Sequence, residues 1–86
     1  MPVDMPIEEL ARLGDAAYQR VVNPVVRPED YGKFAVIDVL SDDFELDTDD
    51  YAASQRLRAR RPDGDFWLSR VGYATAGRIR DYGPLR

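Results

Sequence analysis

Two residue types that carry much of protein chemistry are missing: the 86-residue chain has no cysteine and no histidine. Without cysteine there is no disulfide framework and no thiolate metal site, which argues against a small extracellular scaffold. Without histidine, the commonest general base and the commonest metal ligand are gone. Lysine occurs once, at Lys33. No apolar run nears the ~20 residues of a membrane span; the longest are triplets such as Ala35-Val36-Ile37 and Phe66-Trp67-Leu68. Met1-Pro2-Val3-Asp4 has neither the basic segment nor the apolar core of a signal peptide. A cytoplasmic protein with no membrane partner is expected.

What is present describes a folded chain. Hydrophobic residues make up 44% and charged residues 33%, a globular balance rather than a disordered one. The length suits a single domain over residues 1–86. A domain this small buries only roughly 60–65% of its unfolded surface, so a second copy or another protein is expected to complete the thin core. The net charge of −4 hides an asymmetry: residues 1–50 carry a balance of −9 and residues 51–86 a balance of +5. Such a dipolar chain can pair with itself or present one sign to a partner.

Ile7, Leu10, Gly14, Ala17 and Val21 recur at helical spacing, with Glu8 and Glu9 at the positive end of the dipole, which predicts an N-terminal helix over 1–22. Asn23-Pro24 stops it, and the proline-containing stretch 23–32 reads as an extended linker ending in the turn Asp30-Tyr31-Gly32. Residues 33–86 then read as a ββαβ core. Lys33 to Leu40 is a near-continuously apolar strand, which predicts a central position. Phe44-Glu45-Leu46 pairs with it. Asp47-Thr48-Asp49-Asp50 caps a helix running to about Arg61, stopped by Pro62-Asp63-Gly64. Phe66 to Val71 is the next strand, and Gly77 to Tyr82 offers a further one. The expected class is α+β, in the order α-β-β-α-β with a possible fourth strand: a small three- or four-stranded sheet with one helix packed on it and an N-terminal helix.

Gly32-Lys33-Phe34 leads into Ala35-Val36-Ile37-Asp38, followed by Asp49-Asp50, Ala52-Ala53 and the Leu57 to Asp63 run Leu-Arg-Ala-Arg-Arg-Pro-Asp, with Arg70-Val71-Gly72 and Arg78-Ile79 beyond. In their order and spacing, over roughly residues 18–80, these segments resemble a family of small bacterial proteins without assigned activity. The resemblance implies a bacterial, stand-alone cytoplasmic protein and a partner, some members being encoded beside small proteases or toxin–antitoxin-like genes. It names no substrate. Ser41-Asp42-Asp43 replaces the family's glycine-containing turn, which argues against a two-residue hairpin loop here.

The residues offer little catalytic machinery. Ser41, Ser54 and Ser69 have no histidine to activate them, and Asp63-Gly64-Asp65 lacks the aspartic-protease triad. The acidic run Asp42, Asp43, Glu45, Asp47, Asp49 and Asp50 lacks the glycine and glutamate spacing of a calcium loop. A helix cap and a solvated hairpin explain it. No enzyme activity, metal or cofactor is expected. Phe66 and Trp67 must face opposite sides of a strand, so one of them enters the main core and the other lies under the first helix or in an interface.

Arg56, Arg58, Arg60 and Arg61 form the basic cluster. Arginine forks grip carboxylates as well as phosphates, and the overall negative charge favours the former. The expected function is a non-enzymatic protein-interaction or regulatory module that self-associates, with Arg56, Arg60, Arg61 and Trp67 at the interface. The alternatives are a nucleic-acid-associated regulator of the antitoxin type, using the arginine-rich half, and a structural subunit of a larger assembly. On the first reading, replacing Arg60 and Arg61 with glutamate should abolish partner binding with little change in melting temperature.

Overall fold

The computed structural model describes residues 5–73 and the backbone of residues 76–79; expectations for Arg80, Tyr82, Leu85 and Arg86 lie outside the described residues. Helix α1 (Ile7–Ala17) is followed by strands β1 (Phe34–Asp38) and β2 (Phe44–Asp47), helix α2 (Asp50–Arg60), and strands β3 (Phe66–Arg70) and β4 (Ala76–Ile79). The strands form one antiparallel sheet in the order β2-β1-β3-β4. This is an α+β fold whose central β1 matches its apolar sequence.

The sheet is covered twice. Alternation along β1 and β3 sends Val36, Phe66 and Leu68 to one face, where Ala53 and Leu57 of α2 close over them. It sends Ala35, Ile37 and Trp67 to the other face, beneath α1 and the chain that follows it. Both faces of β1 are therefore buried from Ala35 to Asp38. Phe66 and Leu57 are fully enclosed, and burial of each such side chain contributes about 1.5–3 kcal/mol.

Helix α1 begins at Pro6 without a side-chain cap, and its first-turn acids Glu8 and Glu9 complement the dipole. Leu10, Gly14 and Ala17 form its buried stripe, whereas Ile7 is 47% exposed. The next buried residue is Val22, not the expected Val21. The chain widens into one π-turn over Tyr18–Val22, where the Asn23 N–H donates to the Tyr18 carbonyl at 2.8 Å. The extra residue in that turn rotates Val22 to the place Val21 would hold in a regular helix.

The linker 23–32 is not extended throughout. Residues 23–25 form a turn in which the Val25 and Val26 N–H groups both donate to the Val22 carbonyl. Pro28–Asp30 make one 3-10 turn, started by Pro28 and closed by the Asp30 carboxylate accepting from the Arg27 N–H at 2.9 Å. Arg27, before Pro28, keeps the extended backbone that proline imposes.

Strand β1 stops at Asp38, short of the expected Leu40, because the buried Asp38 side chain organises the chain reversal. It accepts from Ser41 Oγ at 2.6 Å, the Leu40 N–H at 3.2 Å and the Asp65 N–H at 3.0 Å. The loop places Asp42 at φ 67°, a left-handed conformation that aspartate tolerates better than most residues. Asp49 caps α2 by accepting from the Tyr51 N–H at 3.0 Å, and the helix ends just before Pro62.

Candidate functional site

The three arginines expected at an interface all point at this chain's own edge strand. Arg56 donates from Nε to Glu45 at 2.8 Å and from Nη2 to Asp47 at 2.9 Å. Arg60 forks onto Asp43 at 2.9 and 3.0 Å and reaches Glu45 at 2.6 Å. Arg61 adds a contact to Asp43 at 3.1 Å. The match is metric: residues four apart on a helix rise about 6 Å, and residues two apart on a strand about 6.6 Å. With α2 antiparallel to β2, Arg56 and Arg60 therefore fall into register with Asp47, Glu45 and Asp43. The acidic run is tied up likewise, with Asp42 held in the fork of Arg20 at 2.8 and 2.9 Å. Among the described residues, no group of three or more carboxylates is placed to hold a metal.

This ladder is a clamp with a pH signature. Hydrogen bonds from Arg60 hold the Asp43 carboxyl down to about 2, and Arg61 adds to the effect against the opposing cost of burial. Burial works to raise Glu45, but hydrogen bonds from Arg56 and Arg60 outweigh it and lower the group. The Asp49 N–H and Arg56 lower Asp47. A carboxylate depressed in the folded state contributes stability above its unfolded pKa, and that contribution is lost as pH falls through the interval to its folded pKa. The melting temperature should therefore drop as pH is lowered from about 4 to about 2. In Arg60→Met, thermal melts should show a lower plateau near neutrality and a shallower acid limb. Equal acid limbs would mean that the clamp contributes nothing. Arg60→Glu, which sets a third carboxylate against Asp43 and Glu45, should lower the melting temperature rather than leave it unchanged.

Trp67 is also removed from the surface. It is 5% exposed and packs against Gly14 of α1, where an added methyl would lie 2.8 Å from Trp67 Cβ and nearer still to the indole ring. A second face-covering element thus accounts for the second aromatic of the Phe66-Trp67 pair.

The two most exposed tyrosines among the described residues lie elsewhere, at the end of the sheet where β1 begins and β3 ends. A cleft of about 360 Å³ is lined by Tyr18 from the π-turn, Asn23 and Val26 from the following turn, Tyr31, and the β3 exit Val71-Gly72-Tyr73. Two backbone bonds hold its walls together: the Gly32 N–H to the Val71 carbonyl at 2.9 Å and the Val71 N–H to the Lys33 carbonyl at 2.8 Å. Gly72 has φ 86°, and a Cβ there would meet the Tyr31 ring at 2.8 Å. Glycine is needed for both the backbone and the close approach. Tyr31 is 70% exposed and Tyr73 56%, with Val25 at 55% alongside the Val26 wall. Partial burial and the nearby Tyr31 phenol raise the Tyr18 pKa, against the effect of a hydrogen bond from the Gly72 backbone.

Arg70 stands beside this cleft. Its guanidinium lies 4.4 Å from the Tyr73 ring centre and 5.4 Å from that of Phe34, and its Nε donates to the Gly32 carbonyl at 3.0 Å. Arg70 is in no ion pair among the described residues. Tyr18, Tyr31 and Tyr73 are each plain in the sequence. Their convergence is not, since residues 18, 31 and 73 meet only after the linker folds back over the β3 exit. Comparison with protein families, with curated proteins and with solved structures found no match.

Proposed function

We propose that the chain is a small, non-catalytic protein-interaction module and that the tyrosine cleft is its docking surface. The observation that carries this reading is the pair Tyr31 and Tyr73, each more than half exposed on a cleft that Val26 and Val71 also line. Tyrosines in such a setting offer large, rigid contact area and a hydroxyl, the combination enriched at binding hot spots. The arginine cluster, which on its own would suit nucleic acid, is neutralised by Asp43, Glu45 and Asp47 of the same chain. That arrangement favours a protein partner over a polyanion.

The test is affinity capture with the tagged chain from a lysate of the source cells, read by mass spectrometry and repeated with Tyr31→Ala and Tyr73→Ala. Each substitution should weaken stoichiometric capture by about tenfold or more, while circular dichroism and melting temperature stay near wild type. A partner retained equally by both variants would move the docking surface off the cleft. Sedimentation covers the case in which the partner is a second copy: a doubled mass with the same tyrosine dependence places self-association at this surface.

A further inference from the structure

We infer that the tyrosine cleft and Arg70 together form a binding site for an extended acidic peptide segment, in which an apolar side chain fills the cleft and a neighbouring Asp or Glu carboxylate takes the Arg70 fork. The inference rests on the docking reading above and names the chemistry of the partner.

The lining is polar in one sense only. Tyr18, Tyr31 and Tyr73 bring phenols and Asn23 an amide, and among the described residues no acidic side chain lines the cleft. Its floor of Val26 and Val71 is apolar. A ligand suited to that surface has an apolar part, backbone carbonyls to accept hydrogen bonds, and no cation demanding a carboxylate.

Arg70 adds the charge. Arg20, Arg56, Arg60 and Arg61 each grip a carboxylate of this chain, and Arg58 lies over the Phe66 ring at 4.6 Å. Arg70 instead has its Nε fixed on the Gly32 carbonyl and its guanidinium over the Tyr73 and Phe34 rings. Its two terminal nitrogens make no hydrogen bond or ion pair among the described residues and are proposed to take the ligand. A planar fork immobilised in advance loses little rotamer freedom on binding, and it matches a carboxylate bidentately. Tyr73 belongs to the cleft wall and to the Arg70 stack at once, so the apolar and anionic subsites are contiguous.

A carboxylate on a peptide suits this site better than a nucleic-acid backbone. The chain carries a net charge of −4, which repels a polyanion over several ångströms but opposes one or two ligand charges only weakly.

The experiment is selection of a random dodecapeptide phage library on the immobilised full chain, followed by fluorescence anisotropy with the enriched peptide carrying fluorescein. Enriched sequences should place Asp or Glu within a residue or two of Leu, Pro or an aromatic. Arg70→Met, which keeps the aliphatic packing against Phe34 and Tyr73, should weaken binding by about 10–100-fold, with melting temperature as the folding control. Arg70→Lys, which keeps the charge but not the fork, should fall between the two.

Enriched sequences without an acid, or equal binding by wild type and both Arg70 variants, overturn the inference. If Tyr31→Ala still weakens the same peptide in that case, the cleft remains the docking surface and only the carboxylate assignment falls. No enrichment, or a peptide indifferent to Tyr31→Ala as well, removes both. Tighter binding of fluorescein-labelled oligothymidylate than of the selected peptide would assign the Arg70 fork to phosphate and overturn the inference equally.

Discussion

Gly14→Ala is expected to destabilise the protein, although the same change in a solvent-facing helix stabilises it by about 1 kcal/mol. The sign reverses because α1 lies directly on Trp67. A methyl at position 14 would come within 2.8 Å of Trp67 Cβ and closer to the indole, so either the helix lifts or the indole leaves its rotamer. Overpacking of this kind costs about 1–3 kcal/mol, more than the propensity gain. Trp67 is the only tryptophan, which makes its fluorescence a specific reporter. Urea melts of Gly14→Ala should show a lower midpoint, and its native emission should shift to the red as α1 loosens. A stabilised variant with unchanged emission would show that α1 does not rest on the sheet in the way described.

Phe66→Ala should have the largest effect of any single truncation. Phe66 is 1% exposed and packs with Val36, Ala53 and Leu57 between α2 and the sheet, and its ring also carries the Arg58 guanidinium. Truncating a buried phenylalanine costs about 3–5 kcal/mol. At about 0.05–0.15 kcal/mol per residue, a chain of 86 residues has a total stability of about 4–13 kcal/mol. That loss is a large share of the total, and the melting temperature is expected to fall by about 12 °C or more. A cooperative melt within a few degrees of wild type would contradict the α2 core. The two substitutions probe opposite faces of the sheet.

Local patterns carried the elements. The Leu10, Gly14 and Ala17 stripe, the Asp49 cap and the apolar run of β1 each depend on neighbours within a turn or a strand, and each is legible in the sequence. The π-turn is different. Nothing in Tyr18-Gln19-Arg20-Val21-Val22 signals a wide turn, which follows from fitting the helix end over Ala35 and Ile37. The charge ladder was written in the sequence as carboxylates two apart and arginines four apart. Linking them needed the antiparallel placement of α2 on β2, a tertiary fact. The arginines therefore read as free when they are paired within the chain. Trp67 reads from the sequence as lying under the first helix or in an interface, and only the placement of α1 on the sheet decides between the two. The cleft was least legible of all, since its walls come from three separated segments joined by backbone bonds between Gly32, Lys33 and Val71.

The proposed docking surface is the tyrosine cleft and not the arginine ladder. The direct measurement is capture of the partner, or of the selected peptide, by wild type, by the Tyr31→Ala/Tyr73→Ala double variant and by Arg60→Met at equal concentrations of folded protein. The double variant should lose binding while Arg60→Met, though less stable, retains it. Binding that survives in the double variant and disappears in Arg60→Met would contradict the account and return the interface to α2.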